Sequence, residues 1–156
     1  MLIATRSGKI NISKEKDTRL VAERLSKLIN LGDFILLTGN LGVGKTTFTK
    51  YIINSLQRIN RQAISEVPSP TFNITNEYQI KKILIKHYDL YRIKNEKELN
   101  NLGIQENLKK QITLVEWPEM VKKLKIKNII SLIFKYNKNY TERYLTIISK
   151  NKKLIN

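Results

Sequence analysis

The feature that most constrains this chain is a glycine-rich segment between a predicted strand and a predicted helix. Residues 33–51 are DFILLTGNLGVGKTTFTKY, and the GNLGVGKT of residues 39–46 fills every fixed position of the pattern GxxxxGK[ST]. The apolar run at 34–38 predicts a buried strand, and residues from 46 to about 57 predict a helix. A turn that binds nothing is the alternative, but the filled motif and its context favour a nucleoside triphosphate site.

Each residue type in this loop serves phosphate binding. Gly39, Gly42 and Gly44 let backbone N–H groups converge on an anion, and the N-terminus of the following helix points at the same phosphates. Lys45 is predicted to reach the β- and γ-phosphates of a nucleoside triphosphate, and the Thr46 hydroxyl is predicted to bind Mg²⁺. The expected nucleotide contacts of the loop are Leu41, Gly42, Val43, Gly44, Lys45, Thr46 and Thr47.

The length of the chain predicts one domain spanning residues 1–156, and its core at about 13–148 is the part covered by the resemblance given below. The chain has 156 residues and no cysteine, so disulfides, thiolate metal sites and a cysteine nucleophile are excluded. No segment has the pattern of a signal peptide or a membrane-spanning helix, so we expect a cytoplasmic protein that does not contact a membrane.

The net charge of +16 indicates a polyanionic partner such as RNA. However, Lys, Ile and Asn are abundant together, which is also what an AT-rich coding sequence produces. The lysines are scattered in short groups that belong to different predicted elements: residues 81–82, 109–110, 122–127 and 150–153. Charge alone therefore does not identify a nucleic-acid-binding protein.

The rest of the chain predicts an alternation of helices and strands around the loop. Residues 13–30 predict an amphipathic helix with Ser13 as N-cap and Gly32 beyond its end, and its apolar positions are Leu20, Val21, Leu25, Leu28 and Ile29. Residues 72–79 and 82–88 predict an antiparallel hairpin with its tip at 80–82. Further predictions are a helix at 95–108 broken near Gly103, a strand at 111–115, a hairpin of 128–135 with 143–149, and a frayed basic tail at 150–156. The core positions expected in the broken helix are Leu99, Leu102, Ile104 and Leu108.

Two acidic residues stand where predicted strands end. Asp89 lies in HYDLYR at residues 87–92, and Glu116 follows the strand at 111–115. Because ligands of α/β sheets bind at the carboxyl ends of strands, both are candidates for the Mg²⁺ shell, and Asp89 also for positioning the attacking water. His87 and Arg92 are candidates for γ-phosphate contact, with a solvated histidine at a polar strand end as the alternative.

Four further residues keep two interpretations each. Thr71 follows two prolines in VPSPTF, which fix an extended connection, so its hydroxyl lies either beside a phosphate or at a strand entry. Trp117 is either a packed aromatic or a wall of the site that also offers a partner surface. Glu142 and Arg143 are either surface charges or neighbours of a nucleobase.

Together these motifs resemble the TsaE (YjeE) family of small P-loop ATPases, which are required for threonylcarbamoyladenosine modification of tRNA. LGVGKTTF, SPTF, HYDLYR, the EL and LG within residues 98–103, and VEWPE at residues 115–119 occur in the family's order and spacing. The resemblance implies an α/β P-loop domain with a mixed parallel and antiparallel sheet flanked by helices. It also implies ATP hydrolysis in support of a partner, the TsaD transferase subunit paired with TsaB, which modifies adenosine 37 of tRNAs reading ANN codons. Contact of this chain with tRNA is expected to be indirect.

The resemblance also implies residue roles. Lys45 and Thr46 match the phosphate and Mg²⁺ contacts, Glu116 the other Mg²⁺ ligand, and Asp89 the catalytic or switch aspartate. The remaining matches are to positions tied to activity, Thr71 and Trp117, and to the base end of the nucleotide, Glu15 and Arg143.

The chain departs from the family pattern inside the loop. Asn40 stands where the family usually has Asp, and Val43 where it usually has Ala. Both are tolerable because the loop works through backbone N–H groups.

Two other functions remain as alternatives. A small-molecule kinase of the same loop class needs an arginine-rich lid and an acceptor site. A nucleic-acid-binding module with incidental ATP binding predicts tRNA affinity that survives Lys45→Ala. Under the favoured interpretation, hydrolysis is slow in isolation and resets the partner complex between turnovers.

Overall fold

A computed structural model describes residues 8–151 and Leu154. The described strands are β1 (Ile10–Asn11), β2 (Phe34–Thr38), β3 (Thr75–Ile80), β4 (Ile83–Asp89), β5 (Gln111–Glu116), β6 (Ile129–Tyr136) and β7 (Arg143–Ser149). The described helices are α1 (Glu15–Ser26), α2 (Lys45–Ile59) and α3 (Glu96–Asn101), with single 3₁₀ turns at Leu108–Lys110 and Val121–Lys123. None of these helices has the length and apolar character needed to cross a bilayer.

The strands form one seven-stranded sheet in the order β1-β7-β6-β2-β5-β4-β3. β6, β2, β5 and β4 run parallel, whereas β3 and β7 are antiparallel to their neighbours β4 and β6. The predicted mixed α/β sheet and both predicted hairpins are therefore confirmed. We call the edge where the four parallel strands end the carboxyl edge, and the opposite edge the amino edge.

Helices cover both faces of the central strand, which explains why β2 is apolar throughout. Successive side chains of a strand point to opposite faces, so Ile35 and Leu37 join the core under α1 and α2, and Phe34 and Leu36 join the core under α3. A strand covered on both faces cannot alternate with polar residues. The run FILLT thus positions the end of β2, and the loop after it, at a fixed place on the carboxyl edge.

The first helix differs from its prediction at both ends. α1 begins at Glu15 with Lys14 at the N-cap. Ser13 does not cap the helix, because its Oγ instead accepts the backbone N–H of Arg143 at 2.9 Å. α1 ends at Ser26, and Leu20 is 43% exposed, so Leu20 does not belong to the buried face.

Two other predicted elements are shorter than expected. β3 begins at Thr75 instead of residue 72, because the Ile74 N–H donates to the Pro70 carbonyl at 2.5 Å and closes a turn before the strand. The helix predicted at 95–108 is the six-residue α3, which is followed by turns with positive φ at Gly103 and Asn107. Leu99 and Ile104 are nevertheless buried as predicted.

The two chain ends also differ from the prediction. The short strand β1 was not predicted and pairs with β7. In the predicted frayed tail, residues 152–153 and 155–156 lie outside the described residues, but Leu154 is buried in the main core. The prediction of a frayed tail is therefore wrong at Leu154.

Candidate nucleotide site

The phosphate-binding loop joins β2 to α2 at the carboxyl edge, and two of its glycines explain its shape. A Cβ added to Gly39 would lie 2.8 Å from the Phe134 carbonyl oxygen, so only glycine lets the loop begin this close to β6. Gly44 precedes α2 with a φ of 111°, a conformation that side-chain-bearing residues rarely adopt. The turn brings the first N–H groups of α2 to the mouth of the loop.

Lys45 is held inside this loop by neutral groups. Its Nζ donates to the carbonyl oxygens of Gly39 at 2.7 Å and Asn40 at 2.9 Å, and it lies 4.2 Å from the centre of the Trp117 ring. Burial lowers the pKa of Lys45, although the nearby carboxylates of Glu116, Asp89 and Glu119 oppose that shift. The loop thus contains a desolvated cation without a direct carboxylate partner among the described residues.

Glu116 lies at the end of β5 and joins the loop to the neighbouring strand β4. The Thr46 hydroxyl donates to Glu116 Oε1 at 2.8 Å and is 3.1 Å from Oε2. His87 Nε2 is 2.8 Å from Glu116 Oε1, and because an ionised carboxylate only accepts hydrogen bonds, Nε2 is the donor. Glu116 is 3% exposed, so these two donors hold a buried carboxylate in one orientation.

His87 itself is completely buried behind Glu116. Both predicted roles for it, a solvated histidine and a direct contact for a γ-phosphate, are therefore wrong. Its Nδ1 atom has no partner among the described residues. The sequence placed His87 near the site but did not predict that it supports Glu116.

Asp89 ends β4 directly beside Glu116, with which it is paired across the two parallel strands. Its Oδ2 accepts the Thr71 hydroxyl at 2.8 Å and its Oδ1 accepts the Tyr91 backbone N–H at 3.0 Å. The Ser69 hydroxyl adds a weaker contact at 3.4 Å. Thr71 thus faces the site, and the alternative of a strand entry is wrong because β3 begins four residues later.

One cavity of about 180 Å³ brings these side chains together. Its lining comes from four segments that are separate in sequence: the loop (Leu41, Gly42, Gly44, Lys45, Thr46, Thr47), the SPTF turn (Ser69, Thr71), the end of β4 (Asp89) and the end of β5 (Glu116, Trp117). Trp117 forms a wall, with its ring 4.9 Å from that of Tyr91. Arg92 is not brought to this cavity, because it is exposed and lies over the Phe72 ring.

A second cavity of about 270 Å³ adjoins the first through Gly44 and Thr47. Glu15 and Arg143 both line it, together with Val43. Arg143 is held by its Nη2, which donates to the Ser13 carbonyl at 3.0 Å, and Glu15 accepts the Tyr51 hydroxyl. Arg143, and Glu15 for which only the family resemblance gave a role, therefore both lie next to the loop.

Ser69 and Tyr136 belong to this site but were not predicted. Ser69 stands inside the SPTF motif, so the motif itself was a signal for it. Tyr136 donates its hydroxyl to the Gly42 carbonyl at 3.1 Å from the end of β6, which no local pattern indicates.

A larger concavity of about 870 Å³ lies at the amino edge. Its described lining includes Asp33, Lys127 and Lys150, and none of the predicted site residues. Burial raises the pKa of Asp33, and its carboxylate accepts the Asn30 backbone N–H at 2.7 Å. The size of this concavity does not make it the nucleotide site, because the phosphate-binding groups are at the other edge.

The donor set of the smaller cavity fits Mg²⁺ bound together with phosphate. Thr46 and Glu116 supply adjacent hydroxyl and carboxylate oxygens, which are the hard donors that this ion prefers. Among the described residues, no group of three or more His, Asp or Glu side chains is arranged to hold a metal alone. Mg²⁺ commonly completes its shell with water and substrate phosphate, so a site of few protein ligands is suitable.

Comparisons with known proteins agree with this geometry. The family model described as Threonylcarbamoyl adenosine biosynthesis protein TsaE matches residues 12–145. The tRNA threonylcarbamoyladenosine biosynthesis protein TsaE of Rickettsia conorii is 35% identical over 141 residues, or 90% of this chain and 78% of the relative. The protein of the same name from Rickettsia felis is 38% identical over 113 residues, or 72% of this chain and 64% of the relative.

A solved structure supports the fold independently. The crystal structure of Bacillus subtilis YdiB aligns with a TM-score of 0.73, covering 94% of this chain and 88% of that chain. The sequences are 24% identical in this alignment, so the likeness concerns the fold.

Proposed function

The chain belongs to the TsaE family of threonylcarbamoyl adenosine biosynthesis proteins, and we propose that it binds and hydrolyses MgATP to support that modification of tRNA. The observation that carries this proposal is the convergence of Lys45, Thr46, Asp89 and Glu116 on one cavity beside the phosphate-binding loop. Each of these residue types has a separate task in phosphoryl transfer, so their meeting in one place favours hydrolysis over simple binding.

The loop and Lys45 bind the triphosphate. Backbone N–H groups of residues 42–47 and the N-terminus of α2 provide donors for phosphate oxygens. Lys45 transfers its hydrogen bonds from the carbonyls of Gly39 and Asn40 to the β- and γ-phosphates. Trp117 limits the access of water to the lysine, which strengthens the interaction between the lysine and the phosphates.

Thr46 and Glu116 hold Mg²⁺, which neutralises charge on the phosphate oxygens when it is bound. His87 fixes the Glu116 carboxylate from behind, as polar groups next to a metal ligand commonly do. The positions of these ligands therefore do not depend on solvent-exposed side chains.

Asp89 orients the attacking water or senses hydrolysis. Its carboxylate is held by the Thr71 hydroxyl and the Tyr91 N–H. Both donors belong to the segments that flank β3 and β4, so a displacement of Asp89 is passed to the SPTF turn and to HYDLYR. Glu15, Thr47 and Arg143 form the adjoining cavity, where the base end of the nucleotide lies.

The partner completes the site from outside. Three large apolar side chains are exposed around the nucleotide cavity, with exposed fractions of 75% for Leu41, 85% for Phe72 and 56% for Tyr91. Exposed apolar groups of this size mark a surface that another protein covers. We assign this rim to the TsaD and TsaB subunits in the cytoplasm, where hydrolysis resets the transferase between turnovers.

The test is an ATPase assay with and without the transferase subunits. Thr46→Ala and Glu116→Gln should each abolish the stimulated hydrolysis, whereas Glu106→Gln, at an exposed carboxylate outside the motifs, should retain it. Loss of activity in neither site variant would overturn the assignment of Mg²⁺ to these residues. Fast hydrolysis that the transferase subunits do not change would overturn the switch.

A reconstituted modification reaction separates this function from the alternatives. Lys45→Ala should stop repeated turnover of modified tRNA. If that variant supports full modification, ATP is incidental and the nucleic-acid-binding module is the better explanation. If phosphate is transferred from ATP to a metabolite, the chain is a small-molecule kinase.

A further inference from the structure

The fold collects lysines that are scattered in the sequence along the amino edge of the sheet. Lys82 and Lys110 directly precede β4 and β5, and the pairing of Leu84 with Gln111 puts them at the same level. On the other side of β2, Lys127 precedes β6 and Lys150 follows β7, which is paired with β6 there. We define the basic edge as the exposed lysines Lys81, Lys82, Lys109, Lys110, Lys127 and Lys150.

The start of β2 connects the two halves of this edge. The Gly32 N–H donates to the Gln111 carbonyl at 2.8 Å, and the Phe34 N–H donates to the Asn128 carbonyl at 3.0 Å. The row from β4 to β7 therefore crosses four strand spacings, or about 19 Å. A row of this length presents several positive charges to one extended partner.

The charge of the basic edge is not neutralised within the described part of the chain. None of its lysines forms an ion pair with a described residue. Asp33 lines one concavity with Lys127 and Lys150, but it is 8% exposed and accepts the Asn30 N–H, so it offers little charge to solvent. Glu106, three residues before Lys109, is exposed and lowers the net charge of the basic edge by one unit.

The chemistry of this edge favours a phosphate backbone over a protein partner. Lysine is depleted at protein–protein interfaces, whereas rows of lysine are the common means of neutralising phosphates. The exposed aromatic side chains within the described residues are Phe72, Tyr91 and Tyr140, and all belong to connections at the carboxyl edge. Without exposed rings, the basic edge is suited to backbone contact and not to stacking of bases.

We propose that the basic edge binds the phosphate backbone of tRNA directly, at the opposite end of the sheet from the nucleotide site. This inference goes beyond the proposed function and does not depend on ATP hydrolysis. It replaces the expectation of indirect tRNA contact, because the fold unites charges that the sequence separates. The carboxyl edge stays free to face the transferase while the amino edge holds RNA.

The test compares two double variants of the full chain with equal changes in charge. Lys109→Glu with Lys110→Glu alters the basic edge, and Lys94→Glu with Lys97→Glu alters exposed lysines beside α3. Binding of fluorescein-labelled unmodified tRNA is measured by anisotropy over a range of salt concentrations. Binding of a fluorescent ATP analogue to each variant shows that the fold and the nucleotide site are retained.

We expect the basic-edge variant to bind tRNA about tenfold or more weakly. Its salt slope should fall by about 0.7 to 0.9 for each phosphate that the substituted lysines no longer neutralise. The control variant should change tRNA affinity by less than about twofold. Equal weakening in both variants would overturn the proposal, because it would show an effect of net charge alone.

Two other outcomes would also overturn it. If the basic-edge variant binds tRNA normally but no longer binds the transferase subunits, the edge is a protein interface. If the native chain binds phosphatidylserine vesicles but not tRNA, the edge faces a membrane. Failure of ATP hydrolysis with tRNA binding intact would contradict only the proposed function.

Discussion

The two edges of the sheet hold charge in opposite ways. At the carboxyl edge, Lys45, Asp89 and Glu116 are each at most 5% exposed and are held by hydrogen bonds. At the amino edge, the lysines are exposed and unpaired with any described carboxylate. Buried, oriented charges suit a small ligand that must be held in one geometry, whereas exposed, flexible charges suit a large polyanion.

On the two proposals made above, one sheet serves two ligands, one at each edge. In a sheet of parallel strands, a helix that follows a strand begins at the carboxyl edge and ends at the amino edge. The phosphate-binding N–H groups at a helix start therefore lie at the carboxyl edge. The amino edge contains connections that can carry exposed charges. Each of the following measurements changes one edge and follows the other.

The largest expected effect is that of Lys45→Ala. Removing the only buried cation of the described loop should lower stimulated ATP hydrolysis by about 100-fold or more, since no other charge there replaces it. Lys50→Ala, an exposed lysine of the same helix, should change hydrolysis little. tRNA affinity should be the same in both variants. A parallel loss of tRNA binding in Lys45→Ala would contradict the separation of the two edges.

A smaller effect is expected when the support of Glu116 is removed. His87→Leu should raise the Mg²⁺ concentration needed for half-maximal hydrolysis by about tenfold, because the carboxylate loses its rear hydrogen bond. His87→Gln keeps an N–H donor and should restore most of the Mg²⁺ response. If Leu and Gln at this position behave alike, the role of His87 is packing alone.

The amino edge contains a buried carboxylate whose ionisation should cost stability. Burial raises the pKa of Asp33 above the 3.8 of an exposed aspartate, so stability falls as the pH rises through the range between the unfolded and folded pKa values. Asp33→Asn removes this penalty and should increase the free energy of unfolding at pH 7. In urea titrations the gain should shrink as the pH falls toward 3.8. Glu106→Gln, at an exposed carboxylate, should show no such trend.

The smallest expected signal is spectroscopic. Trp117 is the only tryptophan of the chain, and its ring lies over the Lys45 Nζ. Transfer of that cation to phosphates should change the intrinsic fluorescence when MgATP is added. Addition of tRNA alone should leave the emission unchanged, because the basic edge is at the other end of the sheet. A response of equal size to both ligands would show that the edges communicate.

The nucleotide edge was largely predictable from the sequence because its groups occupy short continuous motifs. GNLGVGKT, SPTF, HYDLYR and VEWPE each carry their own turn or strand end, so local rules placed Lys45, Thr71, Asp89 and Glu116 near one another. Strand positions were equally local, and apart from the unpredicted β1 the errors were at element ends, where tertiary hydrogen bonds override propensity. Ser13 binds Arg143 instead of capping α1, for example.

The amino edge was not predictable in this way. Lys82, Lys110 and Lys150 lie along one edge only because the strand order is β7-β6-β2-β5-β4, and no local pattern gives the order of strands. The same reason hid the hydrogen bond between Tyr136 and Gly42, which comes from the pairing of β6 with β2. Side chains that only the strand order brings together cannot be recognised as a set until the fold is known.

The two carbonyl groups that accept hydrogen bonds from Lys45 affect how tightly ATP can bind. Phosphate must compete with Gly39 and Asn40 for the ammonium group, so the net gain is the difference between two sets of bonds. Such a loop binds the nucleotide less tightly, but the contacts of Lys45 with its own carbonyl groups form again as soon as the nucleotide leaves. Under the proposed function, such an exchange favours rapid departure of spent nucleotide, which suits a protein that acts repeatedly on the same partner.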